Sequence, residues 1–371
     1  MKILIDARMY GLENAGIGRY TVNLIEQIKQ IDSTNDYVVL LRKKYFDKLI
    51  LPKNFKKILV DFRHYSFREQ VILPKIILSE KPDLTHFVHF NVPVWFKGKF
   101  VVTIHDLLMH RQKGLSATTL NPAFYYLKRM GYKKVFEKAV KDSKRIIVPS
   151  NFVKDDIVNT YHINPQKIAM TYLGVDVPLV KEKDVNEVLE KFKLKEKDYF
   201  LYVGSAYPHK NLKRAMEASD ASKTTLAISC ARNVFLDRLE KDIQKTHTQN
   251  YVKILGFVPD EDLAILYKKS LGFVYPSIME GFGLQGLEAM ANETLLLASE
   301  IPVFKEIYKD NAIYFNPFDF SDISRKMDLV KQMSKEKRKE IINHAKEYST
   351  KFSWKKMAQE TLKIYEESCQ E

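Results

Sequence analysis

The stretch Ser277–Glu288, SIMEGFGLQGLE, admits two incompatible readings. Its core, Gly281-Phe282-Gly283-Leu284-Gln285-Gly286, has the G-x-G-x-x-G spacing that cradles a dinucleotide pyrophosphate at a helix N-terminus, and Glu300 lies about where a ribose-binding carboxylate is sought. Its ends disagree. Glu280 and Glu288 bracket the glycines, and a hydride-transfer site has no use for the first of these carboxylates. A carboxylate beside a pyrophosphate repels it, whereas carboxylates are good acceptors for the paired hydroxyls of a sugar. The dinucleotide reading also needs its first glycine tight against a strand end, but Pro276, Ser277, Ile278, Met279 and Glu280 intervene after Tyr275. The stretch therefore predicts a sugar-directed loop in which Glu280 and Glu288 address two different rings. Gly281 and Gly283 let the backbone approach closely, and N–H groups at the helix start donate to ligand oxygens. Gly286 is expected inside the following helix, in close packing, with Gly286→Ala comparatively mild beside Glu288→Ala.

Working outward, both halves of the chain repeat one grammar. The first alternates KILID, YVVLL, KILVD, LTHF, FVVTI and RIIVPS with helical patterns, among them Ile17, Leu24, Ile25, Ile28 and Ile31 at helical spacing. The second does the same with YFLYVG, TLAIS, YVKILG, LGFVYPS, TLLLAS and AIYFNP. Nearly continuous apolar strands imply parallel sheets covered on both faces, so the fold class is α/β, with two doubly wound Rossmann-like domains. The boundaries predicted are 1–175, 176–350 and a final helix over 351–371, with the join between Gly174 and Lys197, where GVDVPLVKEKDVNEV is polar and carries a proline. Ligands in such sheets sit beyond the carboxyl ends of the strands. That selects the loops ARMYGLENAGIGRY, His105-Asp106, PSNF, SAYPHKN and PSIMEGFG, which would share one cleft if the two sets of strand ends faced each other.

Composition narrows the function classes. With 371 residues and 45% apolar content the chain can bury two cores. Cys230 and Cys369 lie far apart, which argues against a disulfide framework or thiolate metal site and fits a reducing cytosol. No apolar run approaches a membrane span, and MKILIDAR reaches Asp6 too soon for a signal-peptide core. The net charge of +14 is carried wholly by residues 1–175, where 29 Lys+Arg face 15 Asp+Glu, against 31 and 31 beyond. So one-sided a field favours an anionic partner. Phe124–Arg145 concentrates it, with eight Lys+Arg among Phe124, Tyr125, Tyr126, Tyr132 and Phe136. Basic residues mixed with aromatics suit an acidic membrane interface, reached through Lys128, Arg129, Lys133 and Lys134; an amphipathic helix with its aromatics packed inward is the alternative. No signature of a nucleic-acid-binding module accompanies them.

The runs YPSIMEGFGLQGLEAMA, LYVGSAYPHKNL, VKILGFVPDEDLAILYKKS, VVTIHDLL, RIIVPSNFVKDDI and ILIDARMYGLENAGIGRYTVNLI together resemble family 4 glycosyltransferases, over essentially the whole chain and in the expected order. Within that family they are most similar to the bacterial mannosyltransferase-like branch that builds surface polysaccharides. The resemblance implies the GT-B arrangement, two Rossmann-like domains facing across a cleft, with the final helix crossing back to the first. It also implies a nucleotide-sugar donor on the second domain, an acceptor on the first, no metal or other cofactor, and retention of anomeric configuration. With the cysteine usage and the basic stretch, the expectation is a cytoplasmic enzyme, peripheral on the inner face of the membrane, that uses a saccharide or lipid-linked acceptor. GDP-mannose is the donor of that branch; a UDP-sugar or another nucleotide sugar stays open.

The resemblance also assigns roles. Glu288 would hold the ribose hydroxyls and Glu280 the donor sugar; Gly281, Phe282, Gly283 and Leu284 would offer backbone contacts. Lys210 would clamp the diphosphate, with Gly204, Ser205, Gly256, Phe257 and Val258 completing the donor site. His105 would reach the reacting centre, Asp106 would orient it or bind acceptor, and Gly16 and Gly18 would lie on the diphosphate and acceptor side. Two positions depart from the family pattern: Ser205 and His209 stand where many relatives carry a phosphate-binding arginine. A protonated His209 could replace it, with activity falling above pH about 6.5. Front-face substitution and a covalent intermediate on Glu280 both remain open. An NAD-dependent oxidoreductase and a non-catalytic basic binding protein are the alternatives from other classes.

Overall fold

The computed structural model describes residues 1–62, 64–111, 122–176, 185–230, 234–246 and 248–370. The chain divides into two compact units, one made of Met1–Gly174 with Ser353–Glu371 and the other of Val175–Phe352. Of the stretch predicted to join them, residues 177–184 lie outside the described residues.

The first unit is built on a seven-stranded parallel sheet: β1 (Lys2–Asp6), β2 (Asp36–Leu41), β3 (Phe55–Leu59), β4 (Leu84–Phe87), β5 (Phe100–Thr103), β6 (Ile146–Val148) and β7 (Ile168–Met170), in the order β3-β2-β1-β4-β5-β6-β7. The second holds six parallel strands: β8 (Tyr199–Val203), β9 (Thr225–Ser229), β10 (Val252–Gly256), β11 (Gly272–Tyr275), β12 (Leu296–Ser299) and β13 (Ile313–Phe315), in the order β10-β9-β8-β11-β12-β13. Most central strands are buried along their whole length, as their unbroken apolar runs require of a sheet covered on both faces. In each sheet the unit's first strand lies between its second and its fourth, so the strand order reverses at β1/β4 and again at β8/β11. These two switch points are where an open α/β sheet presents a crevice to ligands.

The helix Trp354–Gln370 belongs to the first unit. Its buried stripe of Met357, Ala358, Thr361, Ile364, Tyr365 and Ser368 packs on the helix Ala15–Ile31 and against β4 and β5. A buried polar chain fixes it there. Tyr365 Oη is 2.6 Å from His86 Nδ1, His86 Nε2 is 2.8 Å from Thr103 Oγ1, and Tyr20 Oη is 3.0 Å from the same hydroxyl.

Candidate active site

At the β8/β11 switch point the loops after the two strands are tied together by one backbone hydrogen bond and by the side chain of Asn211. Pro208–Lys210 forms a single 3-10 turn with proline at its start, and Asn211 follows in the left-handed region at φ 57°. Asn211 Nδ2 donates to the carbonyls of Pro276 (3.0 Å) and Pro317 (2.7 Å), and Ile278 N donates to His209 O (2.9 Å). The result is a fixed meeting of two charges. Lys210 Nζ lies 2.5 Å from Glu280 Oε1, with the side chains 12% and 10% exposed, and 5.8 Å from the Tyr275 ring centre. Burial by itself would raise the Glu280 pKa, but the Lys210 ammonium outweighs it and holds the carboxyl below its ordinary range.

The glycine loop is shaped from behind by Tyr308, a fully buried side chain whose hydroxyl donates to Gly283 O at 2.5 Å. Gly283 sits at φ 101° and opens the helix Leu284–Ala291; a Cβ there would stand 2.2 Å from Tyr308 Oη. A Cβ on Gly286 would stand 2.4 Å from the Tyr308 ring. The close packing expected around Gly286 is present, and an added methyl group there would press on the enclosed Tyr308 ring and lower stability. Phe282 and Leu284 bury their side chains, Phe282 against Phe352 at 6.1 Å between ring centres, and Gly281 and Gly283 are buried with them. Glu288 lies half-buried on the following helix. Glu300 is exposed and paired with Lys305 at 3.0 Å.

The remaining second-unit positions spread over three strand ends. Gly204 and Ser205 follow β8, where Ser205 O accepts from Tyr202 Oη at 2.8 Å. Gly256 ends β10, with Phe257 71% exposed and Val258 buried, one strand removed from the switch point because β9 intervenes. His209 is buried with its ring parallel to Tyr207 at 5.8 Å; burial, and then the Lys210 ammonium, push its pKa down to about 4. It is neutral at pH 6.5, so the expectation that it supplies a second phosphate cation is corrected.

In the first unit His105 and Asp106 follow β5. His105 Nε2 donates to Val88 O at 3.0 Å, which leaves Nδ1 as the acceptor of the neutral ring, and burial pushes its pKa down to about 4. Asp106 Oδ1 accepts from Leu108 N at 2.9 Å. Gly16 and Gly18 lie in the first turn of the helix Ala15–Ile31, whose Tyr20 meets the His105 ring edge-on at 5.0 Å. On the basic helix Pro122–Asp142, Lys128, Lys133 and Lys134 are exposed beside exposed Tyr126 and Met130, and Arg129 is half-buried. Phe136 is core and the Tyr132 hydroxyl lies 2.5 Å from His110 Nδ1, so the aromatics are divided between interior and surface. The Phe124 and Tyr125 side chains lie outside the described residues. Among the described residues no helix is long and apolar enough to cross a membrane.

Asn211 and Tyr308 were not singled out from sequence. Asn211 carried a signal, a capping residue just before a helix; Tyr308 carried none.

Residues 15–178 match Glycosyltransferase Family 4, and residues 180–348 match Glycosyl transferases group 1. O-antigen chain mannosyltransferase RfbU of Salmonella typhimurium is 26% identical, the match covering 85% of this chain and 87% of that protein. O-antigen chain mannosyltransferase B of Escherichia coli is 24% identical over 98% of this chain and 99% of its own. Among solved structures, sucrose-phosphate synthase from Thermosynechococcus elongatus superposes with a TM-score of 0.78 at 15% identity, over 99% of this chain and 98% of its own; it shares the fold.

Proposed function

The chain belongs to the family 4 glycosyltransferases, and on that premise we propose that it moves a hexose, mannose from GDP-mannose, with retention onto a saccharide or lipid-linked saccharide during synthesis of a surface polysaccharide or glycolipid. The observation that carries this reading is the buried Lys210–Glu280 pair at the β8/β11 switch point, set beside a glycine loop that opens the helix Leu284–Ala291. The mannosyl donor is favoured by the names of the relatives RfbU and mannosyltransferase B. A UDP-sugar is the alternative.

In the proposed reaction the bond from the anomeric carbon to the diphosphate oxygen breaks, its electron pair leaving with the diphosphate. The acceptor hydroxyl bonds to that carbon on the same face and passes its proton to the departing phosphate oxygen. Negative charge grows on the diphosphate, where the Lys210 ammonium and the N–H groups of the loop stabilise it without a metal. Glu280 holds Lys210 in place and lies at the sugar, Glu288 takes the ribose, and Gly204, Ser205 and Gly256–Val258 line the nucleotide. His105 and Asp106, with Gly16 and Gly18, serve the acceptor side on the first unit. A glycosyl adduct trapped on Glu280 and seen by mass spectrometry would replace the front-face route with a covalent one.

Thermal stabilisation by GDP, UDP, ADP, dTDP and NAD tests the class. A response to one nucleoside diphosphate supports transfer; a response to NAD alone supports the oxidoreductase; none supports a binding protein without catalysis. A β-configured product from an α-linked donor, read from its NMR coupling, would end the retaining assignment. Peripheral docking on an acidic membrane through Lys128, Lys133 and Lys134, flanked by Met130 and Tyr126, belongs to the same proposal. Unchanged sedimentation with anionic vesicles after reversing the three lysines would remove it.

A further inference from the structure

A second cluster of buried charge stands at the other switch point, between β1 and β4. Arg8, two residues beyond β1 and 1% exposed, donates through Nε to Asp6 Oδ1 and through Nη2 to Asp6 Oδ2 and Glu69 Oε1, each at 2.7 Å. Glu69, on the helix Phe67–Ser79, is fully buried and also accepts from Tyr65 N at 2.7 Å and Asn91 Nδ2 at 2.5 Å. These bonds leave Arg8 Nη1 buried with no partner. His89, two residues beyond β4 with its ring 4.0 Å from that of Phe90, likewise buries Nδ1 with no partner. Both side chains line one small cavity, together with Asp6, Met9, His64 and Asn91.

A guanidinium N–H left dry in an interior is costly, so the cavity is built for an oxygen. Its charge balance selects which kind. One guanidinium faces the carboxylates of Asp6 and Glu69, and His64, its Nδ1 3.6 Å from Glu69 Oε1, adds a positive charge only when protonated. An entering phosphate or carboxylate therefore meets an excess of negative charge with His64 neutral and no net attraction with it charged. A neutral hydroxyl meets no such penalty. The cavity, about 10 Å³, has room for a single oxygen, and a hydroxyl seated there would accept from Arg8 Nη1 and donate to His89 Nδ1. Burial pushes the His89 pKa down to about 3, which keeps the ring neutral and its acceptor nitrogen available.

We propose that this cavity is a hydroxyl-reading subsite, in which Arg8 and His89 hold one hydroxyl of a neutral saccharide acceptor. It rests on the transferase reading above, in which the first unit takes the acceptor. Arg8 and His89 determine specificity and break no bond. The contrast with the second unit is chemical: Lys210 is matched by a single carboxylate and awaits an anion, whereas the guanidinium of Arg8 is outnumbered and refuses one.

The test titrates the methyl α-glycosides of mannose, glucose and galactose, with mannose 6-phosphate as the anionic comparator, by ligand-observed NMR on the full-length enzyme. GDP and UDP binding and the melting temperature are followed alongside. At least one glycoside is expected to bind the wild type, and mannose 6-phosphate to bind no more tightly. His89→Phe is expected to weaken that glycoside at least tenfold while the nucleotide binds as before. His89→Asn, whose amide can occupy the Nδ1 position, is expected to recover most of the loss; a merely structural role would depress both ligands together and show no such recovery. Equal glycoside binding by wild type and His89→Phe would leave the cavity as the seat of a resident water and overturn the subsite. So would failure of all three glycosides to bind. Absence of nucleotide binding by the wild type would overturn the transferase reading and the acceptor assignment with it.

Discussion

The two switch points are built on the same plan and charged differently. In each, a basic residue follows the unit's first strand and a loop follows the fourth, because the same reversal of strand order opens the same crevice. At β8/β11 the cation is Lys210, joined at 2.5 Å to one carboxylate. At β1/β4 it is Arg8, gripped by Asp6 through two parallel bonds and by Glu69 through a third. The planar guanidinium can be held by several acceptors at once, whereas the ammonium is a compact charge on a flexible stem that can turn from one partner to another. In the proposed reaction one crevice thus has a cation to lend to a departing diphosphate, whereas the other holds its cation with two carboxylates of its own. Fold repetition sets where a ligand can bind; the count of carboxylates sets which ligand.

The comparison can be broken most forcefully at Lys210. Lys210→Ala is expected to lower transfer by about 10²–10³-fold, measured as turnover at saturating nucleotide sugar. A loss within threefold would end its role. Glu69→Gln, the counterpart in the first unit, is expected to lower stability by about 1–3 kcal/mol in denaturant melts and leave nucleotide binding intact. If it abolished nucleotide binding, the division of labour between the crevices would fail. Gly286→Ala is expected to cost a similar amount, about 1–3 kcal/mol, because the new methyl group meets the Tyr308 ring, whereas Glu288→Ala should remove nucleotide binding and leave the melting temperature nearly unchanged. The two variants thus separate packing from recognition along one helix.

Acidification sharpens the comparison from another direction. His86 and His89 are held near pKa 3 and His105 and His110 near 4, all in the first unit, while the second contributes His209 near 4. Each folded value lies below the unfolded value of about 6.5, so the unfolded chain binds more protons between those limits. The stability contributed by these neutral rings is complete above about 6.5 and is lost as pH falls toward 4. Hydrogen exchange at pH 5 against pH 7 should show the first unit losing more protection than the second; equal losses would contradict it. The smallest effect is expected at His209. A residue already neutral at pH 6 leaves the pH profile of His209→Gln between 6 and 8 parallel to wild type, and a shifted profile would restore its claim to a phosphate.

Much of the fold was legible because its signals are local. An unbroken apolar run such as LTHF or FVVT, repeated between helical patterns, has few ways to be buried other than in a parallel sheet. Glu280 and Glu288 stand out from one short stretch and Lys210 from the family resemblance, but the 2.5 Å pairing of Lys210 with Glu280 joins positions 70 apart and was not anticipated. What was missed depends on distance along the chain. Arg8 meets Glu69 across 61 positions, and no periodicity announces such a pairing. Gly286 looked replaceable because its neighbour Tyr308 arrives from another helix. The His209 error has the same root: an ordinary histidine became a neutral one through burial, which a lone H in a polar loop does not reveal. On the basic helix the letters alone did not say which aromatics turn inward; Phe136 does and Tyr126 does not.

The return of the last helix to the first unit sets the order in which the protein can be finished. A chain leaving the ribosome completes Val175–Phe352 as a continuous piece, while the first unit, begun earlier, waits for residues 353–371 to cover the helix Ala15–Ile31. The usual order of synthesis, in which the N-terminal domain is the first to close, is reversed. The contact between Tyr365 and His86 spans 279 positions, a loop closure that can occur only when almost every other residue is already present. A premature stop near residue 352 would thus leave the second unit whole and the helix Ala15–Ile31 without its cover, so a truncation beyond the second unit would be felt by the first.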